Sequence, residues 1–323
     1  MPRPTNSTAI QRDDLGAIAY EYAYEASQRG FIADAVLPIF EVAEQSADYP
    51  KIPIESILKM PPSIKRAPRG NYQRGDYEFE TGTYSCEEYG WEEPLDDSER
   101  KLYKRFFDAE EVATLRATDV VLRHREKRVA DAVQSTGNIT NTGNVSTEWS
   151  TAATCTPKAD VKDAKNTLRT ATGIDPDAAA MSKKVFDNLM ITKEIKDYLQ
   201  YTNPHLLANF EVQRQLVAQY LDLEEIFVGN AIYDSAKKGK SKSISDIWDD
   251  EYVLLFKRPI NPMNLKEPTL GRSFLWLEDS PEILVTETYR EEDIRSDIYR
   301  VRQYVDEAFV FTGAAYLMGN ITA

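Results

Sequence analysis

Between Asp96 and about Gln134 the weakly polar positions recur at steps of four and three. Leu102, Phe106, Ala109, Ala113, Ala117, Val120 and His124 form a stripe, and Lys101, Lys104, Arg105, Glu110, Glu111, Arg125 and Lys127 lie mostly off it. Neither Gly nor Pro interrupts the run before Gly137, and Asp96 with Glu99 three residues on makes a capping box at its start. The spacing predicts one unbroken helix of roughly 60 Å at about 1.5 Å per residue, far beyond the common three or four turns. A rod of that length is a long core helix, half of a coiled coil, or the support of a specialised scaffold, and the pattern alone leaves these open.

The flanking patterns differ. Residues 1–14 are polar and offer nothing to bury, so they are expected to be disordered or draped over a neighbour. Leu15, Ile18, Ala19, Tyr22 and Ala26 predict a short amphipathic helix ending at Gly30. Phe31 to Val42, apolar around Pro38, reads as extended or edge strand. Five prolines and two glycines between Tyr49 and Gly75 predict an arm or loop, and partial alternation over Asp76 to Tyr84 a β-hairpin on that excursion. Ser135 to Ser150 is turn-rich. Thr156-Pro157 opens a helix closed by Gly173, Ala178 to Met181 is a short buried strand, and Ser182 caps the next helix. Helices follow at about Thr192 to Leu199 and Leu206 to Leu221. Extended segments come next around Leu223 to Tyr233, Tyr252 to Phe256, Ser273 to Leu277, Glu282 to Tyr289, Tyr299 to Phe311 and Ala314 to Ile321. Helices mix with antiparallel strands without regular alternation, which indicates an α+β fold.

Charge changes this picture in one region. From Ser56 to Gly75 the chain carries Lys59, Lys65, Arg66, Arg69 and Arg74 and no acid; from Asp76 to Glu99 it carries ten carboxylates and no base, interleaved with Tyr77, Tyr84, Tyr89 and Trp91. Such blocks are a solvated loop, or two limbs that meet complementary limbs on other copies of the chain. On the second reading the candidate inter-subunit contacts are Arg66, Arg69, Arg74, Tyr84, Glu87, Glu88 and Trp91. Lys237, Lys238, Lys240 and Lys242 around Gly239 read as a hairpin tip rather than a polyanion site, having no Arg or aromatic beside them.

With 323 residues and 42% apolar content the chain can bury a large core, and its net charge of −14 argues against a protein devoted to gripping nucleic acid. Two cysteines, Cys86 and Cys155, make neither a disulfide framework nor a zinc site, and a reducing compartment is expected. Signal-peptide and membrane-span patterns are absent, so no membrane partner is expected. Two histidines, His124 and His205, stand without supporting motifs, and nucleotide, metalloprotease and nucleophile-elbow motifs are missing. Catalytic, cofactor-binding and metal residues are therefore expected to be none. Glu87 with Glu88 and Glu92 with Glu93 leave a carboxylate-dependent hydrolase as a minor alternative.

The order of segments resembles the major capsid proteins of tailed bacteriophages, whose fold was first seen in phage Hong Kong 97. Gly30-Phe31-Ile32-Ala33-Asp34 to Leu37-Pro38 looks like the arm entering the extended loop. Gly82 to Glu93, running into Asp96-Asp97, looks like the return limb entering the spine helix. Trp149 to Thr156-Pro157 and the helix to Gly173 is similar to the entry of the axial domain, and Tyr289 to Val301 and Ala315 to Ile321 resemble the late strands. The resemblance implies an N-terminal arm (1–40), an extended β-hairpin loop (41–95), a peripheral domain with spine helix (96–149 and 282–311) and an axial domain (150–281 and 312–323). It implies a structural subunit that self-assembles as pentamers and hexamers into an icosahedral head around double-stranded DNA, held non-specifically. Such a head would be part of the virion, assembled in the host cytoplasm, with portal and decoration proteins. Scaffolding would be separate or none, since no long charged helical segment precedes the arm. An encapsulin-like shell is the nearest alternative. Some relatives crosslink a loop lysine; Lys59 and Lys65 lie in the loop, but nothing in the sequence marks either as reactive. The spine stripe from Leu102 to Val120 is expected to pack on the chain's own late strands, Glu282 to Val310.

Overall fold

The computed structural model describes residues 10–12, 15, 30–51, 53, 58–66, 68–72, 74–75, 80–103, 108–200, 210–237, 239–279 and 282–322. The helix expected from Leu15 to Gly30, apart from Leu15 and Gly30 themselves, His205, and Asp76 to Phe79 of the expected hairpin lie outside them. In chain order the strands are β1 (Ile10–Gln11), β2 (Ile39–Val42), β3 (Ser46–Lys51), β4 (Glu80–Ser85), β5 (Glu87–Asp96), β6 (Asn141–Asn144), β7 (Ala178–Ser182) and β8 (Glu225–Gly229). They continue with β9 (Ile232–Asp234), β10 (Ile244–Asp246), β11 (Val253–Phe256), β12 (Gly271–Trp276), β13 (Val285–Glu291), β14 (Ser296–Phe309) and β15 (Ala315–Gly319). The helices are α1 (Ala33–Val36), α2 (Asp97–Tyr103), α3 (Ala109–Val133), α4 (Pro157–Thr172), α5 (Lys183–Ile191), α6 (Lys193–Gln200) and α7 (Phe210–Tyr220).

Central strands buried on both faces build the five-stranded sheet, ordered β6-β15-β11-β7-β8. Along β7 and β11 successive side chains enter opposite cores: Ala179, Met181, Val253 and Leu255 face the layer of α4 to α7, and Ala178, Ala180, Leu254 and Phe256 face the other side. This explains their unbroken apolar runs. The second core is closed by Ile32, Val36 and Leu37 from the start of the chain and by Val129, Ala130 and Val133 at the end of α3. Local signals position the surrounding helices. Thr156 precedes Pro157 at the start of α4, Gly173 ends it at φ +73, and the Ser182 hydroxyl accepts the Val185 N–H at 3.2 Å.

The other sheet has six strands and is organised by the fourteen-residue β14. β13 and β5 pair antiparallel with it, β12 takes it up from Val305 to Phe309, and β2 joins β12 in parallel. Two boundaries differ from the sequence reading. β12, expected in the axial segment, hydrogen-bonds to β14, and β6, read as a short hairpin or loop and placed in the peripheral segment (96–149), pairs with β15 in the five-stranded sheet. Both pairings join residues distant in sequence, where a local pattern carries no information.

The spine also differs. Asp108 has extended backbone (φ −77, ψ 111) and its carboxylate caps α3 by accepting the Glu110 N–H, so α2 and α3 are separate helices. Asp96 caps the first of them, accepting the Ser98 N–H at 2.7 Å. Ala109, Ala113 and Ala117 face inward as expected, and Ala113, Tyr299 and Val301 belong to the small cores between α3 and the sheet. Beyond Ala117 the buried face runs through Val121, Leu122, Arg125, Glu126, Val129 and Ala130 instead of Val120 and His124, and Leu102 is exposed. Two charged residues on the inner face broke the expected periodicity. Likewise, residues 33–36 form a single helical turn where extended chain was expected before Pro38.

Candidate functional site

The exposed loop and the strand that returns from it are the surfaces that do not serve the two cores. At the loop's base β3 pairs with β4, Lys51 opposite Glu80 through Ser46 opposite Ser85. Tyr84 stacks on Phe274 with ring centroids 4.6 Å apart and planes 7° apart, and its hydroxyl donates to the Glu44 carbonyl. Tyr84 is 7% exposed, so this candidate contact is committed to its own subunit. The Ser85 N–H donates to Asp306 at 2.9 Å, fixing the ribbon to β14. Cys86 is buried beside it, and burial pushes its thiol up to about 11.

The acidic limb is an edge strand of the chain's own sheet. β5 pairs with β14 over ten residues, from Asp96 opposite Ser296 to Glu87 opposite Val305. That register lays alternate carboxylates against arginines. Arg300 donates to Glu92 at 2.7 Å and to Glu287 at 3.2 Å; Arg302 donates to Glu287 at 2.8 and 3.1 Å and to Asp279. Arg290 forks onto Asp97 at 2.7 and 2.8 Å. From the helix side, Arg116 approaches Glu93 at 3.5 Å, while Arg128 lies 3.7 Å from the Tyr89 ring centre and donates to Glu307 at 2.7 Å.

An open groove of about 490 Å³ runs along this strand, lined by Glu88, Gly90, Trp91, Glu92, Arg300 and Arg302. Trp91 is half exposed there and donates to Glu93. Glu88 accepts the Tyr304 hydroxyl at 3.0 Å, and burial together with that bond pushes Tyr304 up to about 12. Glu87 accepts the Tyr89 hydroxyl at 3.1 Å. Adjacent carboxylates thus alternate between faces of a strand and are individually occupied, which is not a hydrolase's convergent pair. Among the described residues no group of three His, Cys, Asp or Glu side chains could hold a metal ion, and no helix is long and apolar enough to cross a membrane. His124 is exposed on α3.

The basic limb is arranged differently. Lys59, Lys65, Arg66, Arg69 and Arg74 are all exposed, and among the described residues none has an ion-pair partner. Arg66 donates to the Gly70 carbonyl at 2.6 Å and lies 4.8 Å from the Tyr72 ring centre, which shapes the turn. Apolar side chains stand out beside these cations, with Met60 89% and Ile64 84% exposed. The lysines at 237, 240 and 242 are exposed on the segment joining β9 to β10, an antiparallel hairpin as expected. The sequence reading missed Arg290, Arg300 and Arg302. Their signal was present in the alternation of Arg300 and Arg302, which mirrors Glu88 and Glu92.

No protein-family profile matches the chain. Its sequence is 27% identical over 300 residues to the major capsid protein of Burkholderia phage BcepMu, covering 90% of this chain and 91% of that one. A phage-related protein from Bordetella bronchiseptica RB50 superposes with a TM-score of 0.69 at 18% identity, over 97% of this chain and 98% of the other. Its fold is that of the phage capsid proteins. The Microbacterium phage Oxtober96 structure shares its fold at TM-score 0.60, with 11% identity, covering 90% of this chain and 91% of that one. So does a virus-like particle from Pyrococcus furiosus at 0.55, with 12% identity over 95% and 98%. The capsid fold is thus α+β of the type expected, and its role is structural rather than enzymatic.

Proposed function

We propose that this capsid protein assembles as pentamers and hexamers into a closed icosahedral head around double-stranded DNA. The observation that carries the reading is the basic limb: five cations and several exposed apolar side chains on a proline-stiffened loop, the cations having no ion-pair partner among the described residues. Prolines lower the entropy lost on docking, and unpaired cations beside apolar groups suit a carboxylate-bearing surface of an identical neighbour. In this reading Arg66, Arg69 and Arg74 reach other subunits, joined at the loop base by Trp91 and the outer faces of Glu87 and Glu88.

Repeated contact between identical copies closes into rings and shells when the rotation relating them closes. The head would belong to the virion and be assembled in the host cytoplasm, with portal and decoration proteins as separate chains. A cargo shell is the alternative reading, and a virus-like particle from Pyrococcus furiosus shares the fold, but the sequence relationship over nine-tenths of the chain is to a phage protein. Electron microscopy of particles from infected cells, with nucleic-acid and protein analysis of their contents, tests both readings. Shells containing double-stranded DNA are expected. Protein-filled shells would favour the cargo reading, and a chain that stays monomeric at high concentration would refute self-assembly.

A further inference from the structure

The cations of the basic loop are not equivalent, because the backbone gives two of them different work. The ring of Pro68 fixes its φ, and Arg69 after it has φ +65. A proline at the first central position of a turn and a positive φ at the second are the marks of a type II turn, whose second central position suits glycine or asparagine. Here that position holds an arginine, and the glycine, Gly70, comes one residue later. Arg66 braces the turn from its other side. Its Nε–H donates to the Gly70 carbonyl at 2.6 Å, and its guanidinium lies 4.8 Å from the Tyr72 ring centre.

Among the described residues four that are not glycine have φ in the left-handed region: Arg69, Asp222, Arg295 and Asn320. Three of them are held by the fold around them. Asp222 follows α7 and its carboxylate accepts Lys165 at 2.6 Å; Arg295 ends a 3₁₀ turn and its carbonyl accepts the Asp97 N–H at 3.3 Å; the Asn320 N–H donates to Glu251 at 2.9 Å. Arg69 is exposed, and among the described residues it makes no hydrogen bond or ion pair. A side chain that opposes its own backbone and serves nothing nearby marks a position whose work lies outside the local fold.

We propose that Arg69 is the cation this loop presents, docking on a carboxylate of a second copy of the chain, and that Arg66 is chiefly a positioning residue that holds the turn. The inference rests on the reading that the chain assembles through this loop, and assigns within it which arginine makes the contact. With no intrachain partner among the described residues, the Arg69 guanidinium has its fork of N–H donors available for a bidentate pair with a carboxylate. The braced turn sets the direction of the side chain beforehand, so the ordering lost on docking is confined to that side chain. An identical neighbour suits the partner's chemistry, since each copy carries 53 acidic against 39 basic residues.

The test is assembly of the purified full-length chain, free of nucleic acid, followed by light scattering against protein and salt concentration. Arg69→Gly removes the cation and suits the backbone better than arginine does. It should raise the concentration needed for assembly by about ten- to hundredfold, the range of one charge-assisted hydrogen bond, and flatten the salt dependence. In the unassembled variant the Arg66 Nε–H should stay slow to exchange by NMR, showing that the turn is intact. Arg66→Lys keeps the charge but loses the Nε–H and the planar face, so it should raise the threshold less and leave the salt dependence as in wild type. Carbodiimide coupling in particles mixed from wild-type and heavy-isotope-labelled variant chains reads the contact itself. The amine introduced by Arg69→Lys should join to an Asp or Glu side chain of another copy, and that introduced by Arg66→Lys should not. A wild-type chain that never assembles would overturn the assembly reading and this inference with it. Where wild type assembles, three results would overturn the assignment alone: unchanged assembly of Arg69→Gly, interchain coupling from position 66 rather than 69 or from neither, or a dependence on Arg69 seen only when DNA is present.

Discussion

Replacing Arg302 with alanine removes the guanidinium that ties β14 to the carboxylates on either side of it. Its side chain is 12% exposed, and Glu287, which it grips twice, is 15% exposed. Removing one partner from a buried ion pair costs about 3–5 kcal/mol, because the remaining charge is left desolvated. Here the penalty is smaller, since Glu287 retains Arg300 at 3.2 Å and Asp279 can return to water. Charge-assisted hydrogen bonds contribute about 1.5–3 kcal/mol each, and a net loss of about 2–3 kcal/mol is expected for the substitution. At an unfolding entropy of about 2.1 cal/mol/K per residue, each kcal/mol shifts a chain of 323 residues by about 1.5 °C, so the melting temperature should fall by roughly 3–5 °C.

Calorimetry of the unassembled subunit reads this directly, and Arg302→Lys should recover part of the loss, having the charge without the fork. An Arg302→Ala subunit that melts within about 1 °C of wild type would refute the intrachain account. If it also failed to assemble, the acidic strand would instead be an inter-subunit surface.

Three further outcomes are expected. Arg66→Glu, Arg69→Glu and Arg74→Glu together should leave the melting temperature of the subunit unchanged but impair assembly by light scattering, and wild-type shells should loosen as salt rises; normal assembly of the triple variant would exclude the loop's electrostatic role. Gly30→Ala should destabilise the subunit by about 1–3 kcal/mol in denaturant unfolding, because the left-handed backbone and the approach to Asn230 both oppose a side chain. Cys86 and Cys155 are buried with their thiols pushed up, so neither should react with a maleimide at pH 7.5 until the chain is unfolded, when both should; rapid labelling of the native subunit would contradict the burial.

Much of the five-stranded sheet was legible in the sequence because its signals are local. Thr156-Pro157 and Gly173 bracket α4, Ser182 starts α5, and the apolar runs of β7 and β11 need no distant partner to be recognised as buried strands. The spine was legible in kind but not in detail. An aspartate at position 108 suits a helix interior poorly and a cap well, yet an uninterrupted pattern around it hid the break. The inner face after Ala117 was hidden for another reason: Arg125 and Glu126 are buried by pairing with Asp34, Ile32, Ala33 and Trp248, and such partners lie about 90 to 120 residues away.

The charge blocks show most clearly what a one-dimensional reading omits. Opposite blocks adjacent in sequence invite the inference that both are unspent, but the acidic one faces arginines about 200 residues later in the chain. Once β5 is neutralised in place, the two limbs are no longer equivalent. Ten residues of strand pairing and the Tyr84–Phe274 stack fix the base of the loop, while the cations beyond it have no ion-pair partner among the described residues. A fixed base with an unpaired basic stretch beyond it limits the ordering lost on docking to the residues that make the contact. In the proposed assembly the acidic strand would act chiefly by holding the loop from which Arg66, Arg69 and Arg74 reach a neighbour, with only Trp91 and the outer faces of Glu87 and Glu88 at the contact, while Arg290, Arg300 and Arg302 support the fold.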